Sequence, residues 1–254
     1  MQKKLNKKNI FIIFIILILI LFYFYYSNSN KKKIIKNNNK IETSKTKLKN
    51  NSKTKEKIQN FYKKFDLDSD DSITKFVSKD IPLNNKKYIP KNLVEVNHIF
   101  IYTNKQENII LRKVAKDALV KLSIEFSKKF NSNLKVVSWY RSYKTQKKIE
   151  ESACSKNLCA KAWFSEHQTW LAVDLWQASD KEEFFKNDLY KEYFDWMNKN
   201  AYKFWFINTY KKWLKIDSYE IEPWHWRYVW KELAYFLYKN NLSFAEFYKK
   251  SKQK

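Results

Sequence analysis

The segment Ser-Glu-His-Gln-Thr-Trp-Leu-Ala-Val-Asp at residues 165–174 brings hydroxyl, carboxylate and imidazole side chains together at the start of an alternating apolar pattern. A second segment, Glu-Pro-Trp-His-Trp-Arg at 222–227, has the same character. The two segments hold His167 and His225, which are two of the three histidines of the chain. The candidate chemistry therefore lies in these segments, and the fold must bring them together.

The residue types in the two segments suit a catalytic zinc site. Such a site needs three protein ligands, usually histidine or carboxylate, and an open position for water. His167, Asp174 and His225 supply that number and those types, and Glu222 could accept a proton from the bound water. The residue types alone leave open that these groups are scattered by chance, because the pattern is less diagnostic than H-E-x-x-H.

Hydrophobic periodicity around the two segments predicts a mixture of helices and strands. Helical spacing of apolar residues occurs at 111–130, 145–152, 181–203 and 231–238. Patterns typical of strands occur at 134–138, 171–175 and within 219–230. Because these elements do not alternate regularly, an α+β fold is favoured.

Three motifs resemble the signatures of the zinc D-alanyl-D-alanine carboxypeptidases of the vancomycin-resistance type, which share the hedgehog/D,D-peptidase fold. The motifs are S-W-Y-R-S at 138–142, S-x-H-x-x-W-x-A-x-D at 165–174 and E-P-W-H-W-R-Y-V at 222–229. The resemblance covers roughly residues 92–237. It implies a hedgehog/D,D-peptidase-like α+β domain, with a small antiparallel sheet flanked by helices.

The resemblance also implies the reaction and its metal. One Zn²⁺ per chain would be bound by His167, Asp174 and His225, with Glu222 as the general base. The expected activity is removal of the terminal D-alanine from peptidoglycan stem peptides by metal-activated water. The motifs leave open an L,D-carboxypeptidase, a D,D-dipeptidase or a peptidoglycan endopeptidase with the same metal centre. A catalytically inactive cell-wall-binding module is the alternative from another class.

Further side chains receive roles from the same resemblance. Arg141 is expected to stabilise the oxyanion that develops on the scissile carbonyl. Ser165, Tyr143 and Gln146 are expected to contact the substrate. The third histidine, His98, belongs to none of the motifs, and we interpret it as a structural or surface residue.

The flanking segments predict a membrane-anchored protein. Residues 1–9 form a basic N-terminus, and 10–26 are an uninterrupted apolar run of 17 residues, at the short end of the range for one transmembrane helix. No small-x-small cleavage site follows the run, so an uncleaved anchor is favoured over a signal peptide. Residues 27–90 are predicted as a basic, largely disordered tether, 91–240 as the catalytic domain and 241–254 as a basic tail. The expected location is the cell membrane, single-pass, with the catalytic domain on the extracytoplasmic side.

The net charge of +25 is unevenly distributed along the chain. The first 60 residues hold 15 lysines against two acids, so this arm contributes +13. Because this arm adjoins the predicted membrane segment, its positive charge is explained by a solvated tether or by attraction to anionic lipid. Nucleic-acid binding is therefore not favoured, and the sequence gives no oligomeric state.

Cys154 and Cys159 are the only cysteines. Outside the cytoplasm they could form a disulfide. None of the histidines lies in their segment, so a metal site there lacks further ligands, and two free thiols are the alternative.

The composition has one abnormal feature, which is the absence of glycine beside ten tryptophans. An average protein contains about 7% glycine. Tight turns often need glycine, because it readily adopts positive φ. Tryptophans replace the glycines that the resemblance leads us to expect, and we suspect Trp139, Trp163, Trp170, Trp176, Trp205, Trp213 and Trp230. Our hypothesis is that UGA codons, decoded as glycine by the source organism, are translated here as tryptophan. The alternative is a genuine tryptophan-rich, inactive relative.

Overall fold

The structure is a computed structural model, and it describes residues 56–152, 159–212 and 214–253. The predicted N-terminus at 1–9, the anchor at 10–26 and the tether as far as residue 55 lie outside the described residues. Cys154 and Trp213 also lie outside them, so the disulfide with Cys159 stays a prediction. In the part of the chain that the structure describes, no helix is long and apolar enough to span a membrane.

The described strands form two sheets. They are β1 (Leu93–Glu95), β2 (Ile101–Tyr102), β3 (Ile110–Arg112), β4 (Leu134–Ser138), β5 (Ala172–Leu175), β6 (Phe206–Asn208) and β7 (His225–Tyr228). β1 and β3 pair in a small antiparallel sheet, and the central sheet has the order β2-β4-β5-β7-β6. In the central sheet β4, β5, β7 and β6 pair antiparallel, whereas β2 runs parallel to β4. The α+β class is as predicted, but the sheet is not purely antiparallel.

Helices surround the sheets. They are α1 (Lys113–Phe130), α2 (Tyr143–Glu151), α3 (Lys181–Lys186), α4 (Asp188–Asn200), α5 (Leu214–Asp217), α6 (Lys231–Lys239) and α7 (Phe244–Lys252). Short 3₁₀ turns occur at Glu166–Thr169 and Ala201–Phe204, and residues 56–63 are helical as well. The strand predicted at 134–138 is confirmed to the residue.

The long helix α1 supplies one wall of the hydrophobic core. Leu119, Leu122 and Phe126 recur on one face of the helix and are fully buried. They belong to the same core cluster as Val136 of β4 and Val173 of β5. Burying each such side chain contributes about 1.5–3 kcal/mol to folding. This packing fixes α1 against the strands from which the candidate site is built.

The largest differences between predicted and observed helices occur at 187 and at 111–112. The pattern at 181–203 predicts one helix, but α3 ends at Lys186 and α4 begins at Asp188. The side chain of Asn187 accepts a hydrogen bond from the backbone N–H of Tyr190, which caps a new helix start. At the other boundary, residues 111 and 112 belong to β3 rather than to the first turn of α1.

The compact unit that contains the sheets extends from Tyr62 to Lys254. It includes residues 62–90, which composition assigned to the tether, and Leu67, Phe76 and Leu83 of that stretch are buried. It also includes α7, where we predicted a basic tail. Phe76 packs edge-on against Phe244 of α7, with ring centroids 5.2 Å apart. A few well-spaced apolar residues order these segments, and average composition does not reveal them.

Candidate metal centre

The register of the central sheet brings the predicted metal ligands together. Asp174 in β5 lies directly opposite His225 in β7, and on its other side Asp174 pairs with Ser138 of β4. His167 lies in the 3₁₀ turn Glu166–Thr169, which leads into β5. Residues directly opposite in an antiparallel pair have Cβ atoms about 4.5–5.5 Å apart, so their side chains meet. The two segments singled out in the sequence therefore converge on one point.

The three side chains form a compact and buried donor set. Nε2 of His167 is 3.2 Å from Oδ1 of Asp174, and Nδ1 of His225 is 3.1 Å from the same oxygen. One candidate ligand atom from each of the three residues lies within 4.8 Å of the others. Two imidazole nitrogens and a carboxylate oxygen suit zinc in a catalytic site with an open position.

Each imidazole has a hydrogen-bond partner on the side that faces away from Asp174. Nδ1 of His167 is 2.5 Å from the carbonyl oxygen of Trp139, which can only accept, so Nδ1 carries the proton. Nε2 of His225 is 2.8 Å from Oε2 of Glu166. Such outer partners select the tautomer of a ligating histidine and orient its ring. The remaining nitrogens, Nε2 of His167 and Nδ1 of His225, face the donor set, and the residues present fit a divalent metal ion.

The surroundings of the three candidate ligands shift their pKa values in different directions. Burial, reinforced by Arg141, lowers the pKa of His167 to about 4, so this imidazole is neutral at neutral pH. Burial alone would raise the pKa of Asp174, but His167 and Arg141 hold it well below its usual range. Burial lowers the pKa of His225, but hydrogen bonds to Asp174 and Glu166 outweigh it and raise the pKa to about 10. A metal ion that binds Nδ1 of His225 therefore displaces a proton.

Glu222 stands beside the donor set without belonging to it. Its Oε2 is 3.9 Å from Nδ1 of His225, beyond hydrogen-bond distance. Asn208 of β6 donates to the backbone carbonyls of Glu222 and His225 at 2.7 and 2.9 Å, which fixes the turn between the two residues. Burial raises the pKa of Glu222 to about 8. A carboxyl group that titrates near neutral pH can both accept and return a proton.

Arg141 lies at the same cluster, as predicted. Its Nη2 donates to Oδ2 of Asp174 at 2.6 Å, and its Nε donates to Oγ of Ser138 at 3.0 Å. The guanidinium thus binds the carboxylate oxygen that does not face the two histidines. This arrangement places a fixed positive charge next to the donor set.

A small cavity opens onto the cluster. Its lining combines predicted site residues with two tyrosines and one alanine: Arg141, Ala160, Ser165, His167, Tyr210, Tyr219, Glu222 and His225. Ser165 therefore lies where a substrate contact is expected. The cavity borders His167 and His225 of the donor set together with Glu222 and Arg141, so a substrate in it would contact all four residues.

Two of the predicted substrate contacts lie elsewhere. Tyr143 is exposed and stacks on Trp163, with ring centroids 4.7 Å apart. Gln146 is buried, and its Nε2 donates to the backbone carbonyl of Ala160 at 2.6 Å. Gln146 thus supports a residue of the cavity wall rather than facing the cavity. His98 also lies apart from the cluster, with its ring 5.5 Å from that of Phe100.

Sequence reasoning missed three residues at the site. The ring of Tyr210 lies 4.7 Å from that of His225, and the buried hydroxyl of Tyr219 has no hydrogen-bond partner. Tyr210 lies in a segment with no clear periodicity, and Tyr219 is the first residue of the range in which a strand was predicted. Neither tyrosine belongs to one of the three motifs. Glu166 was detectable, because an acid adjacent to a predicted metal ligand is a candidate partner for another ligand.

The suspected glycine positions have an unusual backbone. Five of the seven adopt positive φ: Trp163 at 75°, Trp170 at 57°, Trp176 at 60°, Trp205 at 69° and Trp230 at 109°. Trp139 does not, and Trp213 lies outside the described residues. Positive φ is absent from the three other tryptophans, Trp196, Trp224 and Trp226, all of which the structure describes.

A buried pair of imidazoles with a carboxylate, a neighbouring acid and an arginine is typical of hydrolases that use metal-activated water. The family model described as VanY, D-alanyl-D-alanine carboxypeptidase, matches residues 108–231. The protein named "Putative carboxypeptidase YodJ" of Bacillus subtilis (strain 168) is 36% identical over 197 residues, covering 74% of this chain and 71% of that protein. The chain therefore belongs to the VanY family of D-alanyl-D-alanine carboxypeptidases.

Solved structures share the fold. The LdcB LD-carboxypeptidase is similar over 72% of this chain and 88% of its own, with 34% identity and a TM-score of 0.61. A mutant of the vancomycin-resistance D,D-pentapeptidase VanY in complex with Zn(II) is similar over 68% of this chain and 96% of its own. Its identity is 22% and its TM-score is 0.52, so this second likeness concerns the fold alone.

Proposed function

We propose that the protein is a zinc-dependent D-alanyl-D-alanine carboxypeptidase that removes the terminal D-alanine from peptidoglycan stem peptides. The observation that carries this proposal is the convergence of His167, Asp174 and His225 on one buried point beside Glu222. Membership of the VanY family supports the substrate class. The donor set supports zinc, and the related VanY pentapeptidase was solved with Zn(II).

The residues of the cavity divide the reaction between them. Zn²⁺ held by the donor set would lower the pKa of a bound water molecule and polarise the scissile carbonyl. The carboxylate of Glu222 accepts the proton of the attacking water. Glu222 then returns this proton to the amine of the departing D-alanine, so its protonation state is restored at the end of the cycle. Glu222 lines the cavity beside His225 without belonging to the donor set, so its carboxylate is free for both transfers.

Arg141 and Asp174 form a second functional pair. The guanidinium lines the cavity and is held by Ser138 and Asp174, so it needs little reorganisation during the reaction. A preorganised positive charge stabilises the negative charge that develops on the carbonyl oxygen. Arg141 also orients the carboxylate of Asp174, and a substitution there should affect both metal binding and turnover.

The L,D-carboxypeptidase activity is the second candidate. It is favoured by the likeness to the LdcB LD-carboxypeptidase, which at 34% identity and a TM-score of 0.61 exceeds the likeness to the VanY pentapeptidase. The two activities differ in the chirality of the residue before the scissile bond. A D,D-dipeptidase or an endopeptidase would instead accept different groups at the substrate ends.

One set of assays separates these activities. The full chain, carrying glycine at the suspected positions, is incubated with zinc and a pentapeptide, a tetrapeptide or free D-alanyl-D-alanine, and released D-alanine is measured. We expect release from the pentapeptide. Release from the tetrapeptide alone would favour the L,D activity. Release from none of them would contradict both carboxypeptidase activities and the dipeptidase, and would favour an endopeptidase or an inactive wall-binding module.

We further propose that residues 10–26 anchor the protein in the cell membrane, with the catalytic domain outside the cytoplasm. The uninterrupted apolar run supports the anchor, and the extracytoplasmic position of peptidoglycan supports the orientation. In intact spheroplasts, externally added protease should remove the catalytic domain. Protection of the domain until the cells are lysed would contradict this orientation.

A further inference from the structure

A fully buried carboxylate lies behind His225, on the side away from Asp174. It belongs to Glu166, the residue directly before the predicted ligand His167, and its side chain has 0% exposure. Oε2 of Glu166 accepts hydrogen bonds from Nε2 of His225 at 2.8 Å and from Oγ1 of Thr209 at 2.9 Å. A carboxylate removed from water needs such partners, so its position is determined by the groups around it.

Arg227 supplies the opposite charge. Its Nη1 is 3.7 Å from Oε1 of Glu166, and its side chain is also fully buried. Other atoms of the guanidinium donate to backbone carbonyls, Nε to Tyr228 at 2.9 Å and Nη2 to Lys75 at 3.1 Å. Arg227 is therefore anchored to the main chain and compensates Glu166 in the interior. An ionised carboxylate only accepts hydrogen bonds, so the proton between Glu166 and His225 belongs to Nε2 of the imidazole.

We propose that Glu166 is a positioning residue for the metal ligand His225. By accepting the Nε2 proton it fixes the ring orientation and leaves Nδ1 directed at the donor set with Asp174 and His167. The carbonyl of Trp139 does the same for His167 from the opposite ring nitrogen. Adjacent residues of one 3₁₀ turn thus provide one ligand and orient another. This inference rests on the proposed metal-dependent function.

The test compares zinc affinities of full-chain variants by competition with a chromophoric chelator. Glu166→Gln keeps the size of the side chain but places an amide between an imidazole donor and a guanidinium. We expect its zinc dissociation constant to rise about 10–100-fold, as is typical for outer partners of ligating histidines. Thr209→Val is the matched control, because it removes the other hydrogen bond to the same oxygen and leaves His225 bonded. We expect its affinity to fall much less than that of Glu166→Gln, because Nε2 of His225 keeps its carboxylate acceptor.

A second variant guards against misfolding. The double substitution Glu166→Leu with Arg227→Met removes both buried charges together, which proteins often tolerate. We expect this variant to fold and still to bind zinc more weakly than the parent. Proton NMR of the zinc-loaded parent should show an exchange-protected, strongly downfield Nε2 proton of His225, shifted upfield in Glu166→Gln.

The outcomes distinguish this inference from the proposed function. A parent that binds no zinc would contradict the proposed function, and this inference with it. A parent that binds zinc while Glu166→Gln and the double variant bind it equally tightly would contradict the role of Glu166 alone. The same holds if zinc-loaded His225 carries its proton on Nδ1.

The backbone of five tryptophans independently carries a second inference. Eight residues in the part of the chain that the structure describes adopt positive φ, and five of them are tryptophan. Two of the other three are asparagine, which tolerates this region better than most residues. A bulky residue at positive φ is an outlier, because its Cβ approaches the backbone too closely.

The surroundings of Trp170, Trp176 and Trp205 show how such a backbone arises. Trp170 and Trp205 each follow a 3₁₀ turn at its C-terminal end, where a left-handed residue, usually glycine, ends a helix. The N–H of Trp205 donates to the carbonyl of Tyr202 at 3.0 Å, and its own carbonyl accepts from Val229 at 3.0 Å. Trp176 donates to the carbonyl of Lys135 at 3.1 Å. These bonds hold the backbone in a conformation with positive φ, which suits glycine and not tryptophan.

We infer that the native protein has glycine at residues 163, 170, 176, 205 and 230, through UGA codons decoded as glycine. One consequence concerns the site, because the ring stacked on Tyr143 is that of Trp163. Glycine at 163 uncovers Tyr143, which the family resemblance implies as a substrate contact. Glycine at 170 likewise removes the ring that stacks on Tyr140 beside Arg141.

Peptide mass spectrometry of the protein isolated from its source cells tests this inference. We expect peptides covering the five positions to have the lower mass of glycine. We expect peptides covering Trp196, Trp224 and Trp226 to retain tryptophan, because their backbone is suitable for it. Intact tryptophan at the five turn positions would overturn the inference.

Discussion

The strands that carry the donor set and the turns that flank them differ in how well their residues suit their backbone. In β5 and β7, Asp174 and His225 lie directly opposite each other in extended backbone, so their side chains are neighbours on one face of the sheet. In the flanking turns, Trp170 and Trp176 have left-handed backbone that favours glycine. Side-chain chemistry and backbone conformation are separate demands on a sequence. In this chain the side chains of the donor set suit their chemistry, whereas five tryptophans do not suit their positive φ.

The largest expected effect is the loss of zinc affinity when a metal ligand in the strands is removed. His225→Ala removes one of three metal ligands from a buried site, so zinc affinity should fall by more than the roughly 10–100-fold that loss of an outer partner costs. Chelator competition on the purified full chain measures this loss. His98→Ala is the matched control and should bind zinc like the parent. Equal affinities for parent and His225→Ala would refute the proposed ligand set.

Glu222→Gln should separate metal binding from turnover. The amide cannot accept the proton of the attacking water, so kcat should fall by about 10²–10⁴-fold. Zinc content should stay at the level of the parent, because Glu222 lies outside the donor set. The measurement is D-alanine release per bound zinc. Turnover like that of the parent would remove Glu222 from the mechanism.

Substitutions at the positive-φ tryptophans should change the free energy of unfolding. Trp230 is partly exposed and has φ 109° and ψ 145°, so Trp230→Gly relieves backbone strain while losing little packing. We expect Trp230→Gly to be more stable than Trp230→Ala by about 1–3 kcal/mol, because alanine keeps the Cβ that disfavours this region of φ and ψ. Denaturant unfolding measures the difference.

The helical tryptophan Trp196 provides the opposite control. It lies within α4, where glycine should be less stable than alanine by about 1 kcal/mol. The sign of the glycine-minus-alanine difference should therefore reverse between residues 230 and 196. The same sign at both positions would mean that backbone strain does not distinguish the two groups of tryptophans.

The smallest effect concerns a turn whose residue does suit its backbone. Oγ of Ser142 caps α2 by accepting a hydrogen bond from the backbone N–H of Thr145 at 3.1 Å. Ser142→Ala should cost about 1 kcal/mol of unfolding free energy. Zinc affinity should be unchanged, although the neighbouring residue is Arg141. A large loss of zinc would instead tie this cap to the geometry of the site.

The sequence predicted the site better than its surroundings for physical reasons. His167, Asp174 and His225 bear chemistry that few other residues supply, so their types and motifs were informative. Tyr210 reaches the cavity only through tertiary packing, which no local pattern encodes. The helix break at Asn187 and the burial of Phe76 depend on single side chains within segments whose average composition points elsewhere.

X-ray absorption at the zinc edge of the purified full chain reports directly whether His167 and His225 bind zinc. We expect one zinc per chain, with two imidazole nitrogens at about 2.0–2.1 Å and oxygen ligands completing the site. The imidazole contribution should be lost in a double variant, His167→Ala with His225→Ala. Thiolate ligation, or zinc whose coordination is the same in the parent and the double variant, would show that these two histidines do not bind the metal.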